Sequence, residues 1–125
     1  MLSEAKMVKA RKAVESLYDG ICTVTEHQKV VKPNKSTSFA DVPVLTDEPC
    51  RLSYSTITDI NAREDESSSV VQVTKLFISP DVTIKTGSKI SVTQHGQTTD
   101  YKSSGQPAIY QTHQEIILEL FKGWS

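Results

Sequence analysis

Histidine, cysteine and carboxylate side chains, the groups with which this chain could perform catalysis or bind a metal ion, are scattered along the sequence. The three histidines are His27, His95 and His113, and none has the partner at i+3 or i+4 that builds a metal site on one helix face. On an extended strand His113 and Glu115 share a face, whereas Gln114 points to the opposite one. We therefore expect His113 to form a structural hydrogen bond, and we predict no metal site and no cofactor.

Nucleophilic and acid–base catalysis also lack their usual signatures in this sequence. Cys22 and Cys50 have no local Cys–His motif, and no serine stands in a G-x-S-x-G turn. The longest run of neighbouring carboxylates is residues 64–66, a run that is typical of a solvated surface. The five glycines are isolated from one another, so no glycine loop can cradle a phosphate. We predict that the protein is not an enzyme and has no small-molecule substrate.

Length and charge limit the remaining classes of function. The 125 residues have room for one domain, and a net charge of −1 provides no overall positive field to attract nucleic acid. No apolar run approaches the roughly 18 residues of a membrane-spanning helix, and residues 1–15 lack the apolar core of a signal peptide. We expect a protein that is made inside a cell and has no membrane partner. Cys22 and Cys50 fit a reducing compartment, and a disulfide between them would require neighbouring strands.

Residues 3–18 have the spacing of an amphipathic helix. Its apolar side chains recur at three- and four-residue steps and are Met7, Ala10, Val14, Leu17 and Tyr18. Ser3 is suited to cap this helix, and Gly20 to the left-handed position that follows a helix end. The apolar stripe is narrow, so the helix should lie on a surface, either that of its own domain or that of a neighbouring subunit. The predicted organisation is a helix over residues 1–19 and a β-barrel domain over residues 20–125.

The rest of the chain alternates β-branched runs with turn signals at roughly ten-residue spacing, the pattern of a small antiparallel barrel or sandwich. The predicted strands cover residues 21–28, 39–46, 50–56, 70–78, 89–95, 98–102 and 108–121. Pro43 interrupts the second strand and indicates a sheet edge or a bulge. The last run is long enough to bend across two sheets through a bulge. The predicted fold is therefore mainly β, a barrel or sandwich with one N-terminal helix and a long acidic loop.

The acidic loop is the stretch over residues 57–69, which has no helix or strand pattern. Its charged and polar members include Asp59, Asn61, Arg63, Glu64, Asp65 and Glu66, with a local charge of −3. A loop of this length in a compact domain is usually functional or disordered. If copies of the loop surrounded DNA in a ring, repulsion between like charges would keep the duplex from adhering to the wall. An ordinary surface loop is the alternative.

The C-terminal residues carry two large aromatic side chains, Phe121 and Trp124. Such a tail either folds back to seal the barrel or docks on a partner, and the sequence leaves both possibilities open. The sequence shows no aromatic cluster flanked by lysine or arginine, which single-strand binding would require. We therefore expect most aromatic side chains to pack in the core.

Two long segments resemble a known family. The segments ISPDVTIKTGSKISVT, residues 78–93, and TTDYKSSGQPAIYQTHQEIILEL, residues 98–120, resemble minor capsid and head-closure proteins of long-tailed phages and of prophages of Gram-positive bacteria. The shared pattern is a proline before a strand, a Gly-x-x-Ile turn, a tyrosine-centred strand, Gly-x-Pro, and a His-x-Glu strand near the end. The resemblance covers residues 20–125 in order and includes PCRLSYS at residues 49–55.

The resemblance implies a head-closure, or stopper, protein of the head-to-tail connector. Such a protein is a small β-barrel that forms a homo-oligomeric ring, here a dodecamer to match the portal, below the portal and adaptor proteins. Residues 57–69 would point into the channel and retain packaged double-stranded DNA without sequence specificity, while the lower face would receive tail proteins. The expected ring and partner contacts are Arg11, Lys12, Pro43, Phe121 and Trp124. The protein would be made in the bacterial cytoplasm and reside in the virion at the head–tail interface.

Two rival functions remain open at this stage. The first is a tail-completion or tail-terminator ring in the same particle, which would contact tail-tube protein rather than the adaptor. The second is a module for binding single-stranded nucleic acid that resembles an OB-fold, a five-stranded barrel. Salt-dependent binding of oligonucleotides would favour the second.

Overall fold

The computed structural model describes residues 3–58 and 70–124. A single helix, α1 (Glu4–Glu15), precedes the strands in these ranges. The strands are β1 (Gly20–Val31), β2 (Thr37–Thr58), β3 (Val70–Ile78), β4 (Lys89–Gln94), β5 (Gln97–Ile109) and β6 (Gln114–Leu120). They form a closed antiparallel barrel in the order β1-β2-β3-β6-β5-β4. The predicted mainly β fold with an N-terminal helix is confirmed, whereas residues 59–69 of the predicted acidic loop lie outside the described residues.

The core of the barrel is formed by alternate strand residues, because successive side chains on a strand point to opposite faces. The buried apolar residues are Cys22, Val24, Cys50, Leu52, Leu76, Ile78, Ile84, Ile90, Val92, Tyr101, Ile116 and Leu118. Cys22 and Cys50 are free thiols on neighbouring strands. Their mutual hydrogen bond, together with burial, raises the pKa of the Cys22 thiol. The Cys22 thiol therefore stays protonated, and both side chains contribute packing to the core.

Helix α1 begins as predicted but ends earlier. The Ser3 hydroxyl accepts a hydrogen bond from the Lys6 N–H at 3.3 Å, which satisfies one free donor of the first turn. The prediction that Gly20 takes a left-handed conformation after the helix is wrong, since Gly20 is the first residue of β1. A Cβ atom there would come within 3.1 Å of both the Thr93 carbonyl oxygen and Gln94 Oε1. Glycine is required by the close approach of strands rather than by a helix cap.

The second and third predicted strands are one continuous strand, β2. The predicted bulge at Pro43 is confirmed, because the pairing of β1 with β2 shifts between Val24–Leu45 and Thr25–Pro43 and leaves Val44 as the extra residue. A second shift follows before the Cys22–Glu48 pair. These irregularities let the strand bend without breaking. Its first half therefore pairs with β1 and its second half with β3.

The prediction of one bent strand over residues 108–121 is wrong. Residues 108 and 109 belong to β5, and a turn separates them from β6. The turn is closed by a hydrogen bond from the Tyr110 N–H to the His113 carbonyl oxygen at 2.8 Å. Residues 110–113 contain neither glycine nor proline, so the usual turn signal is missing from the sequence.

Gln114 is a buried polar residue at the start of β6. Its Nε2 donates hydrogen bonds to the carbonyl oxygens of Ser79 at 2.8 Å and Val82 at 2.6 Å, which lie in the irregular connection after β3. The side chain thus satisfies backbone groups that have no strand partner.

Replacing Gln114 with leucine is expected to lower the free energy of unfolding by about 2 kcal/mol, because the Val82 carbonyl group loses its donor and the Ser79 carbonyl group keeps only the 3.4 Å hydrogen bond from the Val82 N–H. The matched control is Gln111→Leu at an exposed position, with an expected change within about 0.5 kcal/mol. Urea unfolding of the three proteins measures both values. Equal changes in the two variants would contradict the assigned role of Gln114.

Candidate functional site

A two-stranded hairpin projects beyond the barrel wall at the connection of β1 and β2. In this hairpin, termed the arm, residues 26–31 of β1 pair with residues 37–42 of β2. Strand β4 pairs with β1 only over residues 20–25, and β3 pairs with β2 only from Cys50 onward. Within the described part of the chain, both edges of the arm therefore present backbone N–H and C=O groups without a strand partner.

The side chains of the arm are largely exposed, including apolar ones. Val31 is 68% exposed and Phe39 is 63% exposed. An isolated two-stranded hairpin is at best marginally stable in water, so an arm of this kind gains stability from whatever covers it. The exposure and the free edges identify the arm as a candidate assembly surface.

The C-terminal tail, residues 121–124, runs back along the barrel to the base of the arm. The Phe121 N–H donates to the Asp100 carbonyl oxygen at 3.0 Å. The Trp124 ring stacks on His27 with a centroid distance of 4.9 Å, and the ring of Phe39 stacks on His27 at the same distance. In this structure the tail folds back on its own chain, and its predicted contact with a partner remains a prediction.

Charged groups strengthen this stack. His27 Nδ1 lies 2.9 Å from Asp41 Oδ1. The hydrogen bond from His27 and a second one from the Trp124 indole hold the pKa of Asp41 below its ordinary value. Lys89 Nζ lies 5.0 Å from the centroid of the Phe121 ring, a cation–π distance. We refer to His27, Phe39, Asp41 and Trp124 as the His27 cluster.

The single tryptophan makes docking of the tail measurable. We expect His27→Ala to shift the fluorescence emission of Trp124 to longer wavelength, because the indole loses its stacking partner and meets more water. The matched control is His95→Ala, since His95 pairs with Asp19 rather than with the tail. An unchanged spectrum for His27→Ala would show that the tail does not rest on this histidine in solution.

Two surface grooves flank the tail. One of about 480 Å³ lies between the arm and residues 85–88, and another of about 670 Å³ adjoins the barrel end. The lysines lining them are Lys85, Lys102 and Lys122. The prediction that no aromatic cluster is flanked by lysine is therefore wrong for the folded chain, because strands distant in sequence bring these residues together. Glu26 and Glu119 line the same grooves, and Glu26 Oε1 lies 3.8 Å from Lys85 Nζ, so the positive charge is partly compensated.

Helix α1 lies on the outer face of its own barrel, one of the two placements its pattern allows. Arg11 Nη2 donates to Asp81 Oδ2 at 2.8 Å and to Ser79 Oγ at 3.1 Å. Arg11 is thus engaged within the chain, whereas Lys12 is exposed. The prediction that both contact a partner remains untested by this single chain.

An apolar cleft of about 160 Å³ remains between the helix and the barrel. It is lined by Val14, Leu17, Tyr18, Arg51, Phe77 and His113. Leu17 is nevertheless 58% exposed. The Tyr18 hydroxyl is buried without a hydrogen-bond partner, and desolvation raises the pKa of Tyr18 to about 12. This seam between helix and barrel is therefore loosely packed.

His113 forms the structural hydrogen bond that was predicted. Its Nε2 lies 2.9 Å from Glu115 Oε2 on the same strand face, and Glu115 Oε1 lies 3.4 Å from Lys75 Nζ. The ring also stacks on Tyr110 with a centroid distance of 4.9 Å. In residues 3–58 and 70–124, no group of three or more His, Cys, Asp or Glu side chains is placed to hold a metal ion.

Three carboxylates share this pairing with histidine, namely Asp19, Asp41 and Glu115. Hydrogen bonds from His95, His27 and His113, respectively, are the main cause that lowers the pKa of each carboxyl below its ordinary value of 3.8 or 4.5. A carboxyl group whose pKa is lower in the folded than in the unfolded state stabilises the fold at pH values above its unfolded-state pKa. This stabilisation is lost as the pH falls through the folded-state pKa.

We therefore expect the melting temperature to fall as the pH is lowered from about 5 to about 3. The fall should be smaller in Asp41→Asn, which has one such carboxylate fewer. A thermal melting series monitored by circular dichroism measures both curves. A wild-type melting temperature that stays constant over this range would contradict the role of the three pairs.

A second hairpin extends from the barrel at the other end of β2. Residues 55–58 pair with residues 70–73, beyond the point at which β6 stops pairing with β3. Thr58 and Val70 are cross-strand partners at its end. The predicted channel residues, Asp59, Asn61, Arg63, Glu64, Asp65 and Glu66, connect these two strand ends and lie outside the described residues. The arm and this second hairpin thus leave β2 at opposite ends.

Comparisons with known proteins give one structural likeness. No protein-family model matches the chain, and a search of curated proteins finds no match. The phage-like element PBSX protein xkdH from Bacillus subtilis has a similar structure, with a TM-score of 0.48 and 16% identity over 80% of this chain and 91% of that chain. A likeness at this level does not transfer a function. Among the residues that the structure describes, no helix is long and apolar enough to cross a membrane.

Proposed function

We propose that this protein is the head-closure component of a phage head-to-tail connector. The observation that carries the proposal is the division of one closed barrel into two extensions at opposite ends of β2, the arm and the hairpin that leads to residues 59–69. A ring subunit needs one surface for its neighbours and another segment for the channel, and this division is consistent with both needs. The resemblance of residues 20–125 to head-closure proteins is the reason for proposing this class of ring protein.

In the proposed particle the role is structural rather than catalytic. A ring of twelve subunits would sit below the portal and adaptor proteins, retain packaged double-stranded DNA and receive the tail. Residues 59–66 carry a charge of −3, so they would repel phosphates rather than bind them. Retention of DNA would therefore be steric, by close packing of the segments from neighbouring subunits.

Inactivating the gene in its phage or prophage tests this proposal. We expect heads that package DNA and then lose it, with no tails attached, measured by electron microscopy and by nuclease sensitivity of the genome. Heads that keep their DNA but carry no tail or an abnormal one would favour a tail-completion or terminator ring. Normal tailed particles filled with DNA would contradict both proposals.

One observation favours a second candidate, a module that binds single-stranded nucleic acid. Lys85 and Lys102 line the groove beside Trp124 and Phe39, and stacking on aromatic rings above a basic groove is how such modules bind. Against this, the rings of Phe39 and Trp124 already stack on His27, each with a centroid distance of 4.9 Å.

Fluorescence anisotropy with labelled oligonucleotides separates the two candidates. Head closure predicts no binding at micromolar protein, even at low salt. Binding that weakens with salt and is lost in Trp124→Ala would favour the single-strand module.

A further inference from the structure

We propose that the arm is the subunit contact of the ring, and that it joins neighbouring copies by pairing the free β1 edge of one arm with the free β2 edge of the next. The inference rests on the ring proposed above. It adds the contact surface, the direction of the strands and a register.

The first support is that the arm has two different free edges. Residues 29–31 of β1 lie beyond the groove beside residues 85–88, and residues 39–42 of β2 have no second strand partner among the described residues. Natural proteins usually protect long free edges with proline, a bulge or a covering segment. The proline and the bulge here lie at the base of the arm, at Pro43 and Val44, so neither of them protects the edges above.

The second support is the geometry of repeated pairing. Two different edges give a heterologous contact, which generates a ring when the rotation between copies closes. If all arms point in one direction, β1 of one copy runs opposite to β2 of the next. The contact is then antiparallel, like the pairing inside each arm.

The third support is that one register matches both charge and apolar surface. Within an arm, Lys29 lies opposite Phe39 and Val31 opposite Thr37. A shift of two residues between copies keeps every side chain on its face and places Lys29 opposite the neighbour's Asp41. The same shift places Val31, which is 68% exposed, opposite the neighbour's Phe39.

Other registers lose this match. Without a shift, Val31 would lie opposite the neighbour's Thr37. A shift of four residues would place Val31 opposite the neighbour's Asp41. The two-residue shift therefore pairs opposite charges and two exposed apolar side chains at once, each of which stabilises an antiparallel pair. A constant stagger between neighbouring strands is also what a closed ring of strands requires.

Disulfide trapping with variants that each carry one added cysteine tests the contact. Val31→Cys and Phe39→Cys are purified separately, mixed in equal amounts and oxidised, and the products are separated without reductant. The mixture should give a covalent dimer that neither variant gives alone, because each variant supplies only one edge. Wild-type protein is the control for the native cysteines, which are buried.

The charge pair supplies a graded test. Adding Lys29→Glu to the Val31→Cys chain places two carboxylates opposite each other and should lower the dimer yield about fivefold. Lys35→Glu at the tip of the arm is the matched control and should leave the yield unchanged, since this register gives Lys35 no charged partner.

Three outcomes would overturn the inference. A dimer of either variant alone would show a contact between identical edges. No dimer in the mixture, from a protein that sediments as a ring, would place the subunit contact elsewhere and leave the proposed function intact. A chain that stays monomeric at every concentration and in its particles would remove both the contact and the ring.

Discussion

Replacing Ile116 with alanine is expected to lower the free energy of unfolding by about 3 kcal/mol. Ile116 is 1% exposed and points into the barrel from β6, where it lies opposite Leu76 of β3. The substitution removes buried methyl and methylene groups and leaves a cavity that a closed barrel fills only partly. Urea unfolding with an unchanged m-value measures the loss.

The neighbouring residue provides the matched control. Ile117 lies on the outer face of the same strand and is 49% exposed, so Ile117→Ala should cost less than about 1 kcal/mol. Equal losses at the two positions would mean that the outer face of β6 is covered or that the barrel interior is not where the alternation places it.

Removing the predicted channel segment should have the largest effect on function. Thr58 and Val70 are already cross-strand partners, so a two-residue Asn-Gly turn can replace residues 59–69 and close the hairpin. We expect the shortened protein to fold with a melting temperature close to that of the wild type. Particles built with it should lose nearly all packaged DNA, measured as nuclease-sensitive genome.

A variant of full length separates steric from electrostatic retention. Replacing Glu64, Asp65 and Glu66 with Gln, Asn and Gln removes the negative run and keeps the bulk. Particles with this variant should retain their DNA, because the proposed barrier is steric. Full retention by the shortened protein would contradict the assignment of residues 59–69 to the channel.

Local patterns were enough to predict two of the core strands at or near their observed bounds. Val70–Ile78 was predicted at its observed bounds, and Lys89–Gln94 was predicted to within one residue. Both have β-branched inward positions between clear turn signals, and burial of one face makes such a register well determined. The Ser3 cap and the bulge at Pro43 likewise follow from side-chain chemistry that acts over a few residues.

Features that depend on distant residues could not be predicted in this way. Asp47-Glu48-Pro49 resembles a strand break in sequence, yet β2 continues through it because β1 pairs with residues on both sides of Asp47 and β3 pairs from Cys50 onward. Gly20 resembles a helix cap, but its small size is required by residues of β2 and β4. In both cases the tertiary partner, which no local pattern reveals, determines the conformation.

The His27 cluster in the candidate site likewise depends on contacts between residues that are distant in sequence. His27 and Asp41 are paired across the arm, and their pairing follows once the turn is placed at residues 32–36. The strands predicted over residues 21–28 and 39–46 leave a longer connection between them, so the sequence does not predict this pair. Trp124 joins the cluster from the other end of the chain, and no sequence signal links it to His27.

A cryo-electron microscopy reconstruction of the head-to-tail junction tests the head-closure assignment most directly. Fitting these coordinates should reveal a ring of barrels directly below the adaptor, with the strand ends at Thr58 and Val70 directed toward the channel axis. Density at this layer that no barrel of this chain fits, or a ring whose Thr58 and Val70 ends face outward, would contradict the assignment.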